Sequence, residues 1–520
     1  MGAAAQARHP APLLKRHVLI IAVLILLAPW YLAWSCNDSM GQLGSDGGSY
    51  LMMAQHYAPY GAHDPVYAEA AASSRFPPLY PLLLAATAAA DSLPRAHAVD
   101  AACLLLGLLA LYAWAQQEGL SSRSAAALVV AIAALPGSWM LGLLIQSEYL
   151  FVCLSLLALY LMTRYRPAGK QALLYGAALG VSAAILTRTV GIALLPALLA
   201  AAWRAPRRQA GFTALLALGP PLAWRLLHPA QLDYAHLLAG IYGGSGAWAA
   251  LRSQLGIGLP ALWSGLCGNL TLMPGLRFLG SGMAALCLAA GLWRFLGLKP
   301  DGIYLAASLA VLAVWPFPEE ARRFMWVLLP VLLVQAALLL RHWTSRLATM
   351  PDAAAAAVAA AVLVMAVPAM AAAAQRHQQA GTSDIPGAAS FVGWYAPDPA
   401  ESARSVATEV TLINALKLIP DYVPAAGCVI STRPDLVNYF GRRRSTFPPL
   451  NSIPDERFIE LIHGSGCAYV FGLASANKGY PVPLHPLQRL GPDAEVIYDS
   501  TVADEHGAER LLAVLARLRR

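Results

Sequence analysis

Long apolar runs separated by short polar clusters set the pattern of this chain. The first run, His17 to Trp34, is long enough to cross hydrocarbon, and no small-residue cleavage site follows it. It is read as a retained transmembrane helix. Runs of similar length predict further helices near 96–117, 124–144, 149–163, 171–187, 190–203, 210–228, 275–298, 302–317, 324–340 and 353–373, giving about eleven passes. The apolar run from Pro77 to Ala90 is too short for a span and opens with Pro-Pro, so it is expected to lie in the membrane interface. After Ala374 the pattern turns to mixed polar sequence with strand-like runs at 427–432, 467–472 and 495–501. The expected fold class is therefore a polytopic α-helical membrane protein with a small C-terminal α/β domain. Residues 1–374 form the membrane part, with interfacial helices in a loop at 36–95, and residues 375–520 form the soluble part.

Composition agrees with a lipid bilayer as partner: 58% of residues are hydrophobic and 12% charged, about half the charged share of a soluble domain. An excess of 36 basic over 28 acidic residues would suggest nucleic acid in a soluble chain. Here the basic residues cluster between apolar runs, at Arg8, Lys15 and Arg16, at Arg123, at Arg164, Arg166 and Lys170, at Arg204, Arg207 and Arg208, at Arg294 and Lys299, and at Arg341 and Arg346. That is how membrane topology is written, and no nucleic-acid partner is expected. The clusters place the N-terminus in the cytoplasm and the loops 36–95 and 228–273 outside; the odd pass count puts the C-terminal domain outside as well. Of seven cysteines, Cys428 and Cys467 each open a predicted strand, which leaves a disulfide between them open. No zinc spacing, Walker loop or dinucleotide fingerprint occurs.

Ionisable residues beside an apolar run are costly and so are candidates for function. Asp46, Arg75, Glu148, Arg188 and the group Glu319, Glu320, Arg322 and Arg323 all fall at predicted external helix ends. Each has an ordinary reading. Asp46 is placed to cap a helix starting at Gly47, whose face would be Tyr50, Met53, Ala54 and Tyr57. Glu148 is placed to cap the helix that begins at Tyr149, Arg188 to snorkel to headgroups, and the acidic and basic pairs to neutralise one another in an exposed loop. Arg75 lies in a long polar loop where an arginine needs no special reason. The basic loop at 440–449 reads as a solvated surface. Taken together, two acidic and three arginine sites meeting one membrane face suit a substrate that carries a phosphate at the membrane surface.

The motifs "GSDGGSYLMMAQ", "RFPPLYPLLLA", "QSEYLFVCLSLLALYLMTR", "ILTRTVGIALLPALL" and "PFPEEARRFMWVLLPVLL" resemble, in order and spacing, the integral-membrane glycosyltransferases of the GT-C superfamily. The likeness is to the bacterial branch related to protein O-mannosyltransferases and lipid A aminoarabinose transferases. It implies a hexosyl- or pentosyltransferase of the bacterial inner membrane with a polyprenyl-phosphate-linked sugar as donor and an envelope glycolipid, polysaccharide or protein as acceptor. It also implies a periplasmic C-terminal domain, and it assigns the catalytic acidic residue to Asp46. Where members of the family often carry a second acidic residue, this chain has Gly47, and Arg75 stands where they often carry Lys or His.

The chemistry agrees with that assignment. A phosphate leaving group needs positive charge, which Arg188 with Arg75, Arg322 or Arg323 can supply as a fixed fork of donors. A carboxylate can accept the proton of the attacking hydroxyl. Asp46 is the expected base, with Tyr50, Arg75, Glu148, Arg188, Arg322 and Arg323 expected to bind substrate. Base and phosphate-binding groups on opposite sides of the anomeric carbon imply inversion. Asp46 and Glu148 also leave open a divalent cation, Mg or Mn, held by oxygen ligands. A transporter or flippase of a lipid-linked saccharide is the alternative.

Overall fold

The computed structural model describes residues 13–36, 46–61, 65–203, 205–228, 246–344, 352–379, 399–449, 454–473, 485–503 and 507–519, apart from positions 75, 168 and 272, together with residues 40, 238 and 242. The helical part is built from α1 (Leu13–Ser35), α2 (Gly47–Tyr57), α3 (Pro65–Ser73), α4 (Leu79–Ala86), α5 (Leu93–Gln117), α6 (Ser122–Ala134), α7 (Pro136–Met140) and α8 (Glu148–Arg164). It continues with α9 (Gln171–Thr187), a 3-10 turn (Thr189–Leu194) leading into α10 (Leu195–Ala202), α11 (Arg207–Leu227), α12 (Ala247–Leu270), α13 (Arg277–Leu296), α14 (Pro300–Ala313), α15 (Ala321–Thr344) and α16 (Ala353–Gln379).

Among the described residues six helices are long and apolar enough to cross a membrane, or seven if α6 and the segment Pro136–Leu143 count as one span bent by 63°. The bend replaces the single helix expected over 124–144. Leu135 takes an extended conformation (φ −60°, ψ 138°), as steric conflict with the ring of Pro136 favours. α9, the Thr189–Ala202 segment and α14 are apolar but shorter. α15 is the central helix: Trp326, Leu329, Leu332, Leu333, Val334, Ala336 and Ala337 are fully buried, which is why it reads as apolar on every face. The peripheral helices turn apolar side chains outward, among them Leu26, Leu106, Leu226 and Phe278. An apolar belt of this extent is unstable in water and is the lipid-facing surface of a multi-pass membrane protein.

The bundle has two unlike ends. At one, here the basic end, Arg294 reaches Asp301 through two bonds (Nε to Oδ2 2.8 Å, Nη2 to Oδ1 2.6 Å) and Glu118 through a third (2.6 Å). Gln335 donates to Asp301 at 2.8 Å and Thr163 to Glu118 at 3.1 Å. This buried knot joins α8, α13, α14 and α15 to the residue that ends α5. Arg294, read from sequence as a topology marker, is thus also an internal brace. At the other end, the site end, lie α2, α3 and α4, with α4 too short to span, as expected for Pro77 to Ala90.

The loop expected over 228–273 contains α12, a 24-residue helix. Gln254 donates to the Trp315 carbonyl (2.7 Å) and Asn269 to the Arg322 carbonyl (2.6 Å). Both anchors lie at the site end, so α12 runs across the ends of α14 and α15. Arg252, Gln254 and Asn269 dilute its apolar character, which fits a helix at an interface.

The C-terminal part holds α17 (Pro399–Tyr422), β1 (Cys428–Ser431), α18 (Pro434–Gly441), β2 (Arg444–Thr446), α19 (Asp455–Gly464), β3 (Tyr469–Leu473), α20 (His485–Leu490), β4 (Ala494–Ala503) and β5 (Glu509–Leu518). The sheet order is β2-β1-β3-β5-β4; β1 pairs in parallel with β2 and β3, and β5 pairs antiparallel with β3 and β4. β1, β3 and β4 fall on the predicted strands. β5 carries "ERLLAVLARL", rich in helix-forming Leu, Ala, Glu and Arg, and becomes a strand because it is buried between two others. Cys428 and Cys467 form a disulfide. The basic loop is less solvated than expected: Arg442 bonds the Tyr67 hydroxyl in α3, and Arg443 donates to the Val423 and Pro420 carbonyls.

The disulfide spans a sequence separation of 39, and closing a loop of that length removes about 4 kcal/mol of unfolded-state entropy at room temperature. Replacing both cysteines by serine should lower the denaturant midpoint for loss of amide protection in β1 and β3 by a corresponding amount. An unchanged midpoint contradicts this account of the bridge.

Candidate active site

Asp46 occupies the residue before α2, and its carbonyl accepts the first helical bond from the Tyr50 amide at 3.2 Å. Its carboxylate makes no capping bond. The ordinary expectation for this aspartate is therefore corrected: instead of capping, Oδ2 receives Nη2 of Arg323 at 3.0 Å. A carboxylate at a helix start is favoured by the local dipole in any case, so it can turn toward a guanidinium while remaining near the first-turn amides.

Arg323 connects the site. Besides Asp46, its Nε lies 2.8 Å from Glu148 Oε1 and 3.3 Å from Glu320 Oε2, and its Nη1 lies 3.5 Å from the Gln146 side-chain oxygen. Glu148 opens α8 and is fully buried. The same Oε1 lies 2.7 Å from Nη1 of Arg188, which also donates to the Ser147 hydroxyl at 3.2 Å. Arg188 follows α9 with an extended backbone and turns inward, so the snorkelling expectation does not hold for it. Both guanidiniums lie against the Phe324 ring, at 5.4 and 5.5 Å from its centroid. A water-sized apolar pocket lined by Phe151, Val190, Tyr304, Leu312, Phe324 and Leu328 adjoins Arg188.

Tyr50 is fully buried, with its hydroxyl 3.0 Å from the Ser147 hydroxyl and its ring against Phe76 and Tyr80. Burial pushes its phenol above the ordinary range, and the Asp46 carboxylate acts in the same direction. It is a neutral hydroxyl at physiological pH. Arg322 points elsewhere: its Nη2 donates to the Gly268 carbonyl of α12 at 2.6 Å. Arg75 lies outside the described residues.

Asp100 of α5 had no place in the sequence reading. Its buried carboxylate accepts from the Tyr80 hydroxyl (2.8 and 2.9 Å) and from the Gln146 amide (3.3 Å). It thereby ties the Pro-Pro segment to the turn that carries Gln146, Ser147 and Glu148. The available signal was an aspartate within an apolar helix, which its position near the helix start obscured.

Arg323 stands between Asp46 and Glu148 as an ion-pair partner of both, and among the described residues no three His, Cys, Asp or Glu side chains gather as a ligand set. A β-carbon on Gly47 would lie 3.2 Å from the Ile145 carbonyl oxygen, so a second side chain beside Asp46 requires that loop to give by a few tenths of an ångström.

Removing the charge of Glu148 leaves two buried guanidiniums short of a partner, which costs about 3–5 kcal/mol. Glu320 is 32% exposed at its side chain, and its pair with Arg323 is worth under about 1 kcal/mol. Glu148→Gln should therefore lower thermal stability in detergent far more than Glu320→Gln does; equal shifts would contradict the buried ion-pair account.

No protein-family model matches this chain, and no curated protein matches its sequence. Solved structures do match. ArnT from Cupriavidus metallidurans bound to undecaprenyl phosphate superposes with a TM-score of 0.53 at 14% identity, covering 97% of this chain and 98% of that one. The Archaeoglobus fulgidus oligosaccharyltransferase, in complex with Zn and sulfate, gives a TM-score of 0.53 at 14% identity over 95% of this chain and 73% of that one. Both are GT-C glycosyltransferases, and the architecture described above is the fold they share.

Proposed function

We propose that this protein is a glycosyltransferase that moves a sugar from a polyprenyl-phosphate-linked donor to an envelope acceptor. The observation that carries the reading is the ion-pair chain Asp46–Arg323–Glu148–Arg188, which holds one carboxylate available as a base and two guanidiniums together at one end of the helical bundle. The fold shared with ArnT, which binds undecaprenyl phosphate in its structure, supports the donor class. In this reading residues 1–374 form the catalytic membrane domain with about eleven passes, and residues 375–520 form a periplasmic domain. The bundle end with Arg294 and Arg341 faces the cytoplasm of a bacterial inner membrane. The Cys428–Cys467 disulfide suits an oxidising periplasm.

The donor phosphate is held by Arg188, assisted by Arg323. A guanidinium has five donors, and Arg188 directs Nη1 to Glu148 and Ser147, so its fork keeps capacity for phosphate oxygens. Glu148, with no exposed surface, holds the two guanidiniums in place rather than meeting substrate. The acceptor hydroxyl attacks the anomeric carbon; the new C–O bond forms as the bond to the phosphate oxygen breaks, the electron pair leaves on the phosphate, and Asp46 takes the hydroxyl proton. Attack opposite the leaving group inverts the anomeric centre. The fixed positive charge next to the phosphate oxygens stabilises the leaving anion throughout.

The reading is tested with purified full-length protein in lipid, offered undecaprenyl-phosphate-linked hexose and pentose in parallel. Release of undecaprenyl phosphate is expected for one of them, and Asp46→Asn should slow it by about a thousandfold while leaving the protein folded. Arg188→Lys, which keeps charge but loses the fork, should weaken donor binding. Full turnover by Asp46→Asn refutes the base assignment, and movement of intact donor across the bilayer without release would favour a flippase.

A further inference from the structure

Gly47 and Gly48 open α2 directly after Asp46, and both are packed against other segments. A β-carbon on Gly48 would lie 3.0 Å from Asp435 Oδ2 and 3.2 Å from Leu436 Cδ2, two residues in the first turn of α18. Beside it, the Ser49 hydroxyl comes to 3.5 Å from the same Asp435 oxygen. Asp435 is fixed in turn by Arg433, whose Nε and Nη2 meet its two oxygens at 3.0 and 2.7 Å. Farther along α18, Tyr439 belongs to the apolar cluster that includes Tyr50, Leu51 and Met52, and just past its end Arg442 bonds Tyr67 in α3. On the other side of the turn, Gly47 meets Ile145, which leads into Gln146, Ser147 and Glu148. The first turn of α2 is thus wedged between the Glu148 loop and a helix of the C-terminal domain.

Asp46 leads directly into that turn: its side chain does not cap α2, and its carbonyl accepts the Tyr50 amide, which bonds its backbone to the turn that Gly47 and Gly48 begin. Where that turn sits decides where the carboxylate stands relative to Arg323. We propose that α18 of the C-terminal domain seats the first turn of α2 and so sets the position of Asp46, with Asp435 as the positioning residue and Gly48 as its socket. The consequence for turnover rests on Asp46 being the base; the seat itself does not. It gives the C-terminal domain a part in catalysis without contact with substrate. A displacement of the order of 1 Å at a reacting group can cost about a hundredfold in rate, so a helix that fixes the base is a rate determinant.

Two measurements on the full-length protein in lipid test this. Hydrogen exchange of the peptide covering α2 should become about tenfold faster in Asp435→Ala and in Gly48→Val, while protection of β1 and β3 is retained and reports that the domain is folded. Gly48→Ala, which alters the contact from the α2 side alone, should move in the same direction to a smaller degree. Release of undecaprenyl phosphate should show kcat lowered about tenfold or more, with donor KM within about twofold, because the base is displaced and the phosphate-binding arginines are not. Unchanged exchange in α2 overturns the proposal whatever the chemistry. Faster exchange with unaltered kcat overturns the positioning role. A wild-type protein that releases no lipid phosphate sinks the glycosyltransferase reading alone, since the exchange arm still decides whether α18 seats α2.

Discussion

The site depends on one buried carboxylate shared by two cations. Glu148 has no exposed surface, yet its Oε1 meets Arg188 and Arg323 from separate elements. An unpaired charge at such a place is strongly unfavourable, and two guanidiniums this close would repel each other without it. Every other feature of the site adjusts to that arrangement. Ser147 and Gln146 add hydrogen bonds to the arginines, Phe324 lies against both, and Asp46 engages the free side of Arg323. The Asp100 carboxylate then holds the Gln146 backbone in place, so the support extends into α5.

α15 links this network to the brace at the opposite end. It carries Arg323 in its first turn and Gln335 farther along, where Gln335 bonds Asp301. Those residues lie roughly 18 Å apart along the helix axis, and the helix between them is almost wholly buried. A span with a polar knot near each end and apolar packing between is held in both rotation and depth. That explains how Arg323 can be placed accurately although the segment before α15 is a short 3-10 turn.

The helices of the membrane part were legible because lipid imposes long apolar runs, and the break at Pro136 follows from a rule visible in the sequence. α12 was not legible as a helix, since its polar residues are tolerated at an interface and hide it from an apolarity test. β5 was concealed for the opposite reason: its residues favour a helix, and only burial between β3 and β4 makes it a strand. At the site, ionisable side chains beside apolar runs marked Asp46, Glu148, Arg188 and Arg323 in advance, but their pairing is tertiary. Arg322 and Arg323 show the limit. Neighbours on a helix point about 100° apart, and only the packing shows that one meets Asp46 while the other meets α12. The contact of Gly48 with Asp435 joins positions 387 residues apart, and no local pattern marks it.

The crowding at Gly47 also bears on how such a site can change over time. Adding a carboxylate there, to make an acidic pair with Asp46, takes one substitution in the gene, but the new β-carbon comes within 3.2 Å of a backbone oxygen of Ile145, a tight contact. No exchange of side chain at position 145 removes that oxygen. The backbone has to give by a few tenths of an ångström, and it is this loop that delivers Glu148 to the two arginines. A paired-acid site and the present shared-carboxylate site are therefore coupled in this scaffold, because a side chain at position 47 presses on the loop that places Glu148.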